Sequence, residues 1–323
     1  MKSAIIGCGL IGNKRANVLD SVSIACDVNI AAAQKLANKY LGCVATNNIE
    51  DVLKSDVDVA FVCVSNNQLA SIANSLVWNK KHVLIEKPGA ISTHELFQLN
   101  IASKINNILV RIGYNHRYHP ACLKAIELFK SPDFGEIMFV RGRYGHGGRI
   151  GYDKEWRADK NISGGGELID QGVHLIDLAS IFIGEFEKIE GNIHTYFWDM
   201  NVEDNAFIHL QNKNKNVAWL HVSCTEWKNT FSFEVYGKNA KLHWEGLGGN
   251  YGVEKLTYYK MLPKMGPPET TIFEYPMGDD SWNLEVREFF EDIRLNRTPI
   301  PGIKEAKNAL DVVESIYKDN KKI

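Results

Sequence analysis

Ser3-Ala4-Ile5-Ile6 runs straight into Gly7-Cys8-Gly9-Leu10-Ile11-Gly12, and this junction restricts the fold more than any other stretch of the chain. It is a G-x-G-x-x-G run that leaves a short apolar strand and opens a helix. Gly7 permits the tight turn, Gly9 lets the backbone approach an anion, and Gly12 lets the helix pack closely on its strand. The N–H groups at the helix start, those of Leu10 and Ile11 among them, then face the anion together with the positive end of the helix dipole. An ordinary strand-to-helix turn carries the same pattern when it stands alone. A second predicted strand, over 22–26, ends at Asp27, 20 residues beyond Gly7. A carboxylate there accepts from a ribose 2′-hydroxyl and repels a 2′-phosphate. No Arg or Lys follows within Val28, Asn29 and Ile30, so the pattern favours NAD over NADP.

Beyond Asp27 the chain alternates between predicted helices over 31–40, 49–54, 67–79 and 93–104 and strands over 44–46, 57–64, 82–85 and 108–112. The run over 57–64 is nearly continuous in apolar residues, as expected of a parallel strand covered on both faces. This rhythm predicts an α/β fold, a Rossmann-type doubly wound parallel sheet over 1–118. The character then changes. A helix over 119–130 and a strand over 136–145 lead through a glycine-rich loop to a helix over 167–182. From 187 to 244, strand-like stretches succeed one another through polar turns with no helix between them. That predicts an α+β domain over 119–323 with an open, mostly antiparallel sheet, closed by helices over 282–296 and 303–318. Tyr196, Phe197, Trp198, Trp219, Trp227, Phe231, Phe233 and Trp244 crowd this region. Each by itself reads as core. A sheet face so rich in aromatics also suits burial against a second subunit, which predicts a homo-dimer or homo-tetramer built through the sheet.

Charge narrows the partners. The formal net charge is −2 with both signs interspersed, so nothing recruits nucleic acid or an anionic membrane surface. No apolar run reaches the length of a bilayer span. The chain enters a strand at once, which predicts no signal peptide. Six cysteines are scattered without a C-x-x-C pair, so a reduced, cytoplasmic protein without a structural metal is expected.

Three segments carry side chains able to do chemistry. Glu86-Lys87-Pro88 closes the fifth predicted strand, where ligands bind in an open parallel sheet; Lys87 there either points into the cofactor crevice or is a surface lysine. Asp170 and His174 stand four apart on a predicted helix and share a face. They form an acid/base pair, a surface ion pair, or, with Asp177, part of a metal site. The third segment, Gly113-Tyr114-Asn115-His116-Arg117-Tyr118-His119-Pro120, lies where the two predicted domains join, a favoured place for substrate.

Together these segments resemble the glucose–fructose oxidoreductase / inositol dehydrogenase / rhizopine-catabolism (Gfo/Idh/MocA) family. The likeness rests on the Gly7–Gly12 loop, Glu86-Lys87-Pro88, the Asn115-x-Arg117 segment, and Gly164-Gly165-Gly166 followed by Asp170, Gly172, His174 and Asp177. The resemblance implies an NAD-dependent enzyme that moves hydride between nicotinamide and a secondary alcohol or ketone of a sugar, cyclitol or nucleotide-linked sugar. It implies that Lys87, Asp170 and His174 are catalytic, with His174 as acid/base, Lys87 at substrate and nicotinamide, and Asp170 positioning the sugar. Cofactor contacts are expected from Gly7, Gly9, Leu10, Ile11, Gly12, Asp27, Val64, Ser65, Asn66, Glu86 and Lys87. Ser65-Asn66-Asn67 departs from the Thr-Pro-Asn turn common in the family, so the loop beside the nicotinamide is expected to differ in shape. Substrate contacts are expected from Asn115, Arg117, Asp170 and His174. The polar segment over 145–157 looks like versions found with sugar-nucleotide pathways, making Arg149 and Arg157 candidates at a phosphate, with Trp156 expected at the substrate beside them. Two other readings use the same fold: a glycosidase-type enzyme that oxidises its sugar transiently with held NAD, and a non-catalytic NAD-binding sensor.

Overall fold

The computed structural model describes residues 1–320, which form two compact units. One comprises Met1–Tyr114 with Trp282–Leu310; the other comprises Asn115–Ser281 with residues 311–320. The segment Trp282–Leu310 therefore packs with the start of the chain.

The first unit alternates β1 (Ser3–Ile6), α1 (Leu10–Ala16), β2 (Ile24–Cys26), α2 (Ile30–Ala37), β3 (Val44–Thr46), α3 (Ile49–Leu53), β4 (Val59–Val62), α4 (Asn66–Trp78), β5 (His82–Glu86), α5 (Thr93–Asn106) and β6 (Val110–Gly113). All pairings are parallel, in the order β3-β2-β1-β4-β5-β6. Every residue of β1 and β4 is buried, which is why these strands read as apolar runs without alternation. The order reverses direction between β1 and β4, so the carboxyl ends of those strands border the crevice where such sheets bind ligands.

The second unit holds α6 (Pro120–Phe129), β7 (Ile137–Gly145), the short α7 (Lys160–Ser163), a single π-helical turn (Leu168–Gly172) and α8 (Val173–Ile183). Strands β8 (Lys188–His194), β9 (Asn205–Gln211), β10 (Val217–Ser223), β11 (Thr230–Gly237), β12 (Ala240–Glu245), β13 (Glu254–Lys260) and β14 (Glu269–Tyr275) follow. With β7 they form an eight-stranded sheet, β14-β13-β12-β11-β7-β10-β9-β8, antiparallel except where β7 and β10 run parallel. The sheet extends past the predicted stretches by β13 and β14, whose polar, partly exposed residues give little alternation signal.

Side chains alternate across this sheet as its period requires. Val140, Ala218, Leu220, Val222, Phe231, Phe233 and Trp244 are buried on the face against which α8 packs, where Phe182 meets Phe233 at 5.9 Å. The opposite face is open and carries Phe139, Phe207 and Trp219 beside paired charges. The expected aromatic face is thus corrected. Phe231, Phe233 and Trp244 belong to the core, Trp219 stands on the open face, and Tyr196, Phe197 and Trp227 lie exposed in connections between strands.

Two helices close the chain, α9 (Ser281–Leu295) and α10 (Ile303–Asn320). In the first unit, Val286 and Phe289 of α9 join the core formed by Ile5, Phe61 and Leu84. Among the described residues no helix is long and apolar enough to cross a membrane, and all six cysteines are unbridged.

Candidate active site

The glycine loop is shaped as the sequence predicts, with a physical reason at each position. Gly7 has φ +87°, and a Cβ there would lie 2.4 Å from the Cys63 carbonyl oxygen. A Cβ on Gly12 would lie 1.9 Å from the Gly7 carbonyl oxygen. Gly9 is different: it is exposed, and a Cβ there would meet nothing within 4 Å. It is the N-cap of α1, no side chain caps that end, and the N–H groups of Leu10 and Ile11 follow at the open helix start. The space above Gly9 is a cradle for an anion, and the donor set fits a pyrophosphate. Asp27 stands at the end of β2, half-buried, its carboxylate accepting the Cys8 N–H at 2.7 Å and the Asn29 N–H at 2.8 Å. Those two bonds aim the carboxylate and leave it acceptor capacity for a ribose hydroxyl. Val64, Ser65 and Asn66 follow β4 at the same edge of the sheet, with Ser65 as the N-cap of α4.

Lys87 follows β5, half-buried between buried Glu86 and Pro88. The peptide between Lys87 and Pro88 is cis, and the Gly89 N–H donates to the Glu86 carbonyl at 2.9 Å. The Glu86 carboxylate is turned to Arg15 of α1, whose Nε donates at 2.6 Å. Arg15 is fully buried and also meets Glu285 of α9 at 2.6 Å. Neither partner of this cluster is legible locally, because Arg15 and Glu86 are 71 residues apart.

In the second unit, Asp170 lies within the π turn and His174 one turn on, in α8; both are buried. The helix predicted over 167–182 therefore begins with a wide turn, a deviation frequent at functional sites. The triple glycine is explained by packing and not by approach to a ligand. A Cβ on Gly165 would lie 1.9 Å from the Tyr317 hydroxyl, and one on Gly166 would lie 1.9 Å from the Glu203 carbonyl oxygen. Glu203 secures this loop, its Oε1 accepting the N–H groups of Gly166 and Leu168 and the Tyr317 hydroxyl.

The His174 ring packs on the His116 ring with centroids 3.8 Å apart, and Tyr144 stands edge-on to both. His116 sits inside the Gly113–Pro120 motif at a position the motif leaves unspecified, so its role was not legible. Burial pushes the Tyr144 hydroxyl well above its ordinary range, and its neighbour Tyr251 adds to this. Tyr144 is therefore a neutral hydroxyl beside the histidine pair. The neighbouring candidates turn to protein partners. Asn115 donates to the Ser281 hydroxyl at 2.9 Å, and Arg117 holds Asp177 with two hydrogen bonds of 2.6 and 2.7 Å. Asp177 is thus one half of a bidentate ion pair, which removes it from a metal-ligand set with Asp170 and His174.

Arg149 and Arg157 belong to an alternating chain of charge. Arg149 meets Glu155 at 2.6 Å, Arg157 lies 3.8 Å from Glu155, and the Arg157 Nε donates to Asp170 at 3.1 Å. Arg157 also stacks over the Trp156 ring at 4.5 Å. Burial works against the charge on Arg157, but Asp170 beside it raises its pKa above the ordinary value.

Two family comparisons cover most of the chain. The family described as "Oxidoreductase family, NAD-binding Rossmann fold" matches residues 1–114, and the "GFO/IDH/MocA C-terminal domain" matches residues 122–243. Glucose-6-phosphate 3-dehydrogenase of Bacillus subtilis is 26% identical over 345 aligned residues, spanning 98% of this chain and 95% of the relative. Levoglucosan dehydrogenase of Pseudarthrobacter phenanthrenivorans is 30% identical over 143 residues, 44% of this chain and 37% of that protein. Inositol 2-dehydrogenase of Salmonella typhimurium is 28% identical over 45% of this chain and 46% of its own length. Among solved structures, a levoglucosan dehydrogenase in complex with NADH superposes with a TM-score of 0.88 at 19% identity, covering 100% of this chain and 97% of the other. GenD2 from gentamicin A biosynthesis, in complex with NAD, superposes with a TM-score of 0.85 at 20% identity over 99% and 94% of the two chains. At these identities the superpositions establish the fold.

Proposed function

We propose, for a chain that belongs to the Gfo/Idh/MocA family of NAD-binding oxidoreductases, that it oxidises a secondary hydroxyl of an uncharged sugar or cyclitol. When bound, the nicotinamide supplies a hydride acceptor. The chain supplies the rest: Gly9, Leu10, Ile11 and Gly12 hold the pyrophosphate, and Asp27 takes the ribose hydroxyl. A ring nitrogen of His174 takes the hydroxyl proton, Asp170 orients the sugar, and the Lys87 ammonium stabilises charge developing on the oxygen. Reduction of the matching ketone reverses these roles.

The observation that carries the substrate class is the chain Arg149–Glu155–Arg157–Asp170. A phosphate needs cationic partners to replace its water. Here each guanidinium in the polar segment already meets a carboxylate. A dianion placed there would face Glu155 and Asp170 as well as the arginines. An uncharged polyol loses nothing to that balance and hydrogen-bonds to both. The relatives acting on inositol and levoglucosan by name fit this class, whereas the glucose-6-phosphate enzyme marks the alternative.

Thermal-shift measurements with NADH present test the proposal against uncharged sugars, cyclitols, their phosphates and sugar nucleotides. Uncharged members are expected to raise the melting temperature, since a ligand that binds only the folded state stabilises it by mass action. A larger rise with a phosphorylated sugar overturns the substrate class. Lys87→Ala and His174→Ala are expected to lose turnover at least a hundredfold while binding NADH, a size typical of lost acid–base groups. Wild-type turnover in both would end the assignment. We also infer that a second copy of the chain covers the open sheet face.

A further inference from the structure

At the edge of the first unit's sheet that borders the crevice, four elements meet on one side chain. Arg15 is fully buried in α1, the helix that opens at the glycine loop. Its Nε donates to Glu86, the last residue of β5, and its Nη1 lies 2.6 Å from Glu285 of α9, itself fully buried. Trp282 of α9 stacks on the guanidinium at 4.4 Å. Gly113, the last residue of β6, has no room for a side chain because its Cβ would lie 2.7 Å from Nη2 of Arg15 and 3.1 Å from Oε2 of Glu86. Burial pushes the Glu285 carboxyl up, against the pull of Arg15; the arginine keeps its charge, for although burial works against it, Glu285 and Glu86 hold the proton on.

Two ends of a dinucleotide site thereby share one anchor. Arg15 stands three residues beyond Gly12, at the pyrophosphate end. Glu86 stands one residue before Lys87, with its carbonyl tied to the Gly89 N–H as well. A buried guanidinium held by one charge-assisted hydrogen bond and one close ion pair is stiff, because moving either carboxylate leaves a charge unpaired in the interior. We propose that Arg15, with Glu86 and Glu285, is a positioning residue that fixes the distance between the phosphate loop and Lys87, and so aims the nicotinamide end of the bound cofactor.

The inference rests on the reading of Lys87 as catalytic, and two ligands separate it from a purely structural role. ADP-ribose carries the adenosine and pyrophosphate of the cofactor without the nicotinamide. Glu86→Gln keeps the shape and an acceptor but removes the charge, so the strand end relaxes while the phosphate loop stays. The variant is expected to weaken NADH, measured by fluorescence titration, at least tenfold more than ADP-ribose, measured by calorimetry. Its kcat is expected to fall with it. Loss of general stability alone weakens both ligands equally or neither, and equal effects overturn the inference. Where Glu86→Gln does not fold, Glu285→Gln, which alters the same guanidinium from α9, is read by the same ratio. Lys87→Ala is the control for the underlying reading. If it keeps turnover, the role of Lys87 fails; if it loses turnover while the Glu86→Gln ratio stays at one, only the present inference fails.

Discussion

At the scale of single residues, the three loop glycines separate folding from binding. Gly12 is needed by the protein itself, since any side chain would drive into the Gly7 carbonyl at 1.9 Å. Gly9 is needed by nothing in the chain. Its φ is −71°, a value any residue adopts, and the space around its missing Cβ is open. Gly9→Ala is therefore expected to melt within a degree or so of wild type, because Ala at an N-cap costs only about 1 kcal/mol or less relative to Gly. NADH binding should nevertheless weaken at least tenfold, the added methyl occupying the pyrophosphate's place. Gly12→Ala should lower the melting temperature without any ligand. Calorimetric melts with and without NADH check both; a Gly9→Ala variant that binds NADH normally would remove the cofactor from this loop. The glycine spacing was readable because the constraint is local. The reason for Gly165 and Gly166 was not, since Tyr317 and Glu203, which occupy their missing side chains, come from distant parts of the chain.

At the scale of elements, strands buried on both faces and helices with clear periods were legible, and departures from regular period were not. Nothing in Leu168-Ile169-Asp170-Gln171-Gly172 distinguishes a π turn from an α turn, because the extra backbone width is set by packing. The open sheet face shows the same limit. Its alternation was visible, but which aromatics fell on which side depended on register. The register places Glu234 of β11 beside Arg141 of β7 and Lys241 of β12, and that cluster makes a prediction. Burial alone would raise the Glu234 carboxyl. Hydrogen bonds from Arg141, Lys241 and Tyr236 overrule it and hold the carboxyl at about 2, below its ordinary value of 4.5. A lowered carboxylate pKa means that the unfolded chain binds the proton first. The stabilisation is thus complete above pH 4.5 and lost as pH falls toward 2. The exposure of Arg141 screens the interaction, leaving about 1–2 kcal/mol. Glu234→Gln is expected to melt below wild type at neutral pH, with the gap closing on acidification through that window. A gap independent of pH would assign the loss to packing instead of charge.

At the scale of the whole molecule, the open face of the eight-stranded sheet is the surface that a single copy leaves unexplained. Trp219 is 58% exposed there, between His209 of β9 and Arg141 of β7 in the cross-strand register, with Phe207 and Phe139 nearby. Apolar rings interleaved with opposite charges suit a two-fold interface, in which the same patch must complement itself. A second copy accounts for such a face better than solvent does, since large aromatics exposed together otherwise favour indiscriminate association. Trp219→Glu tests this at an exposed position of the protomer, for the new carboxylate would lie across from Arg141 and His209 in the middle of any interface that covers this face. Light scattering at micromolar concentration is expected to give a dimer or tetramer for wild type and a monomer for the variant. The melting temperature adds a second criterion. Assembly stabilises the folded state by mass action, so wild type should melt higher as protein concentration rises, and the variant should not. A monomeric wild type with a concentration-independent melting temperature would leave the aromatic face to some other occupant and separate catalysis in this chain from assembly altogether.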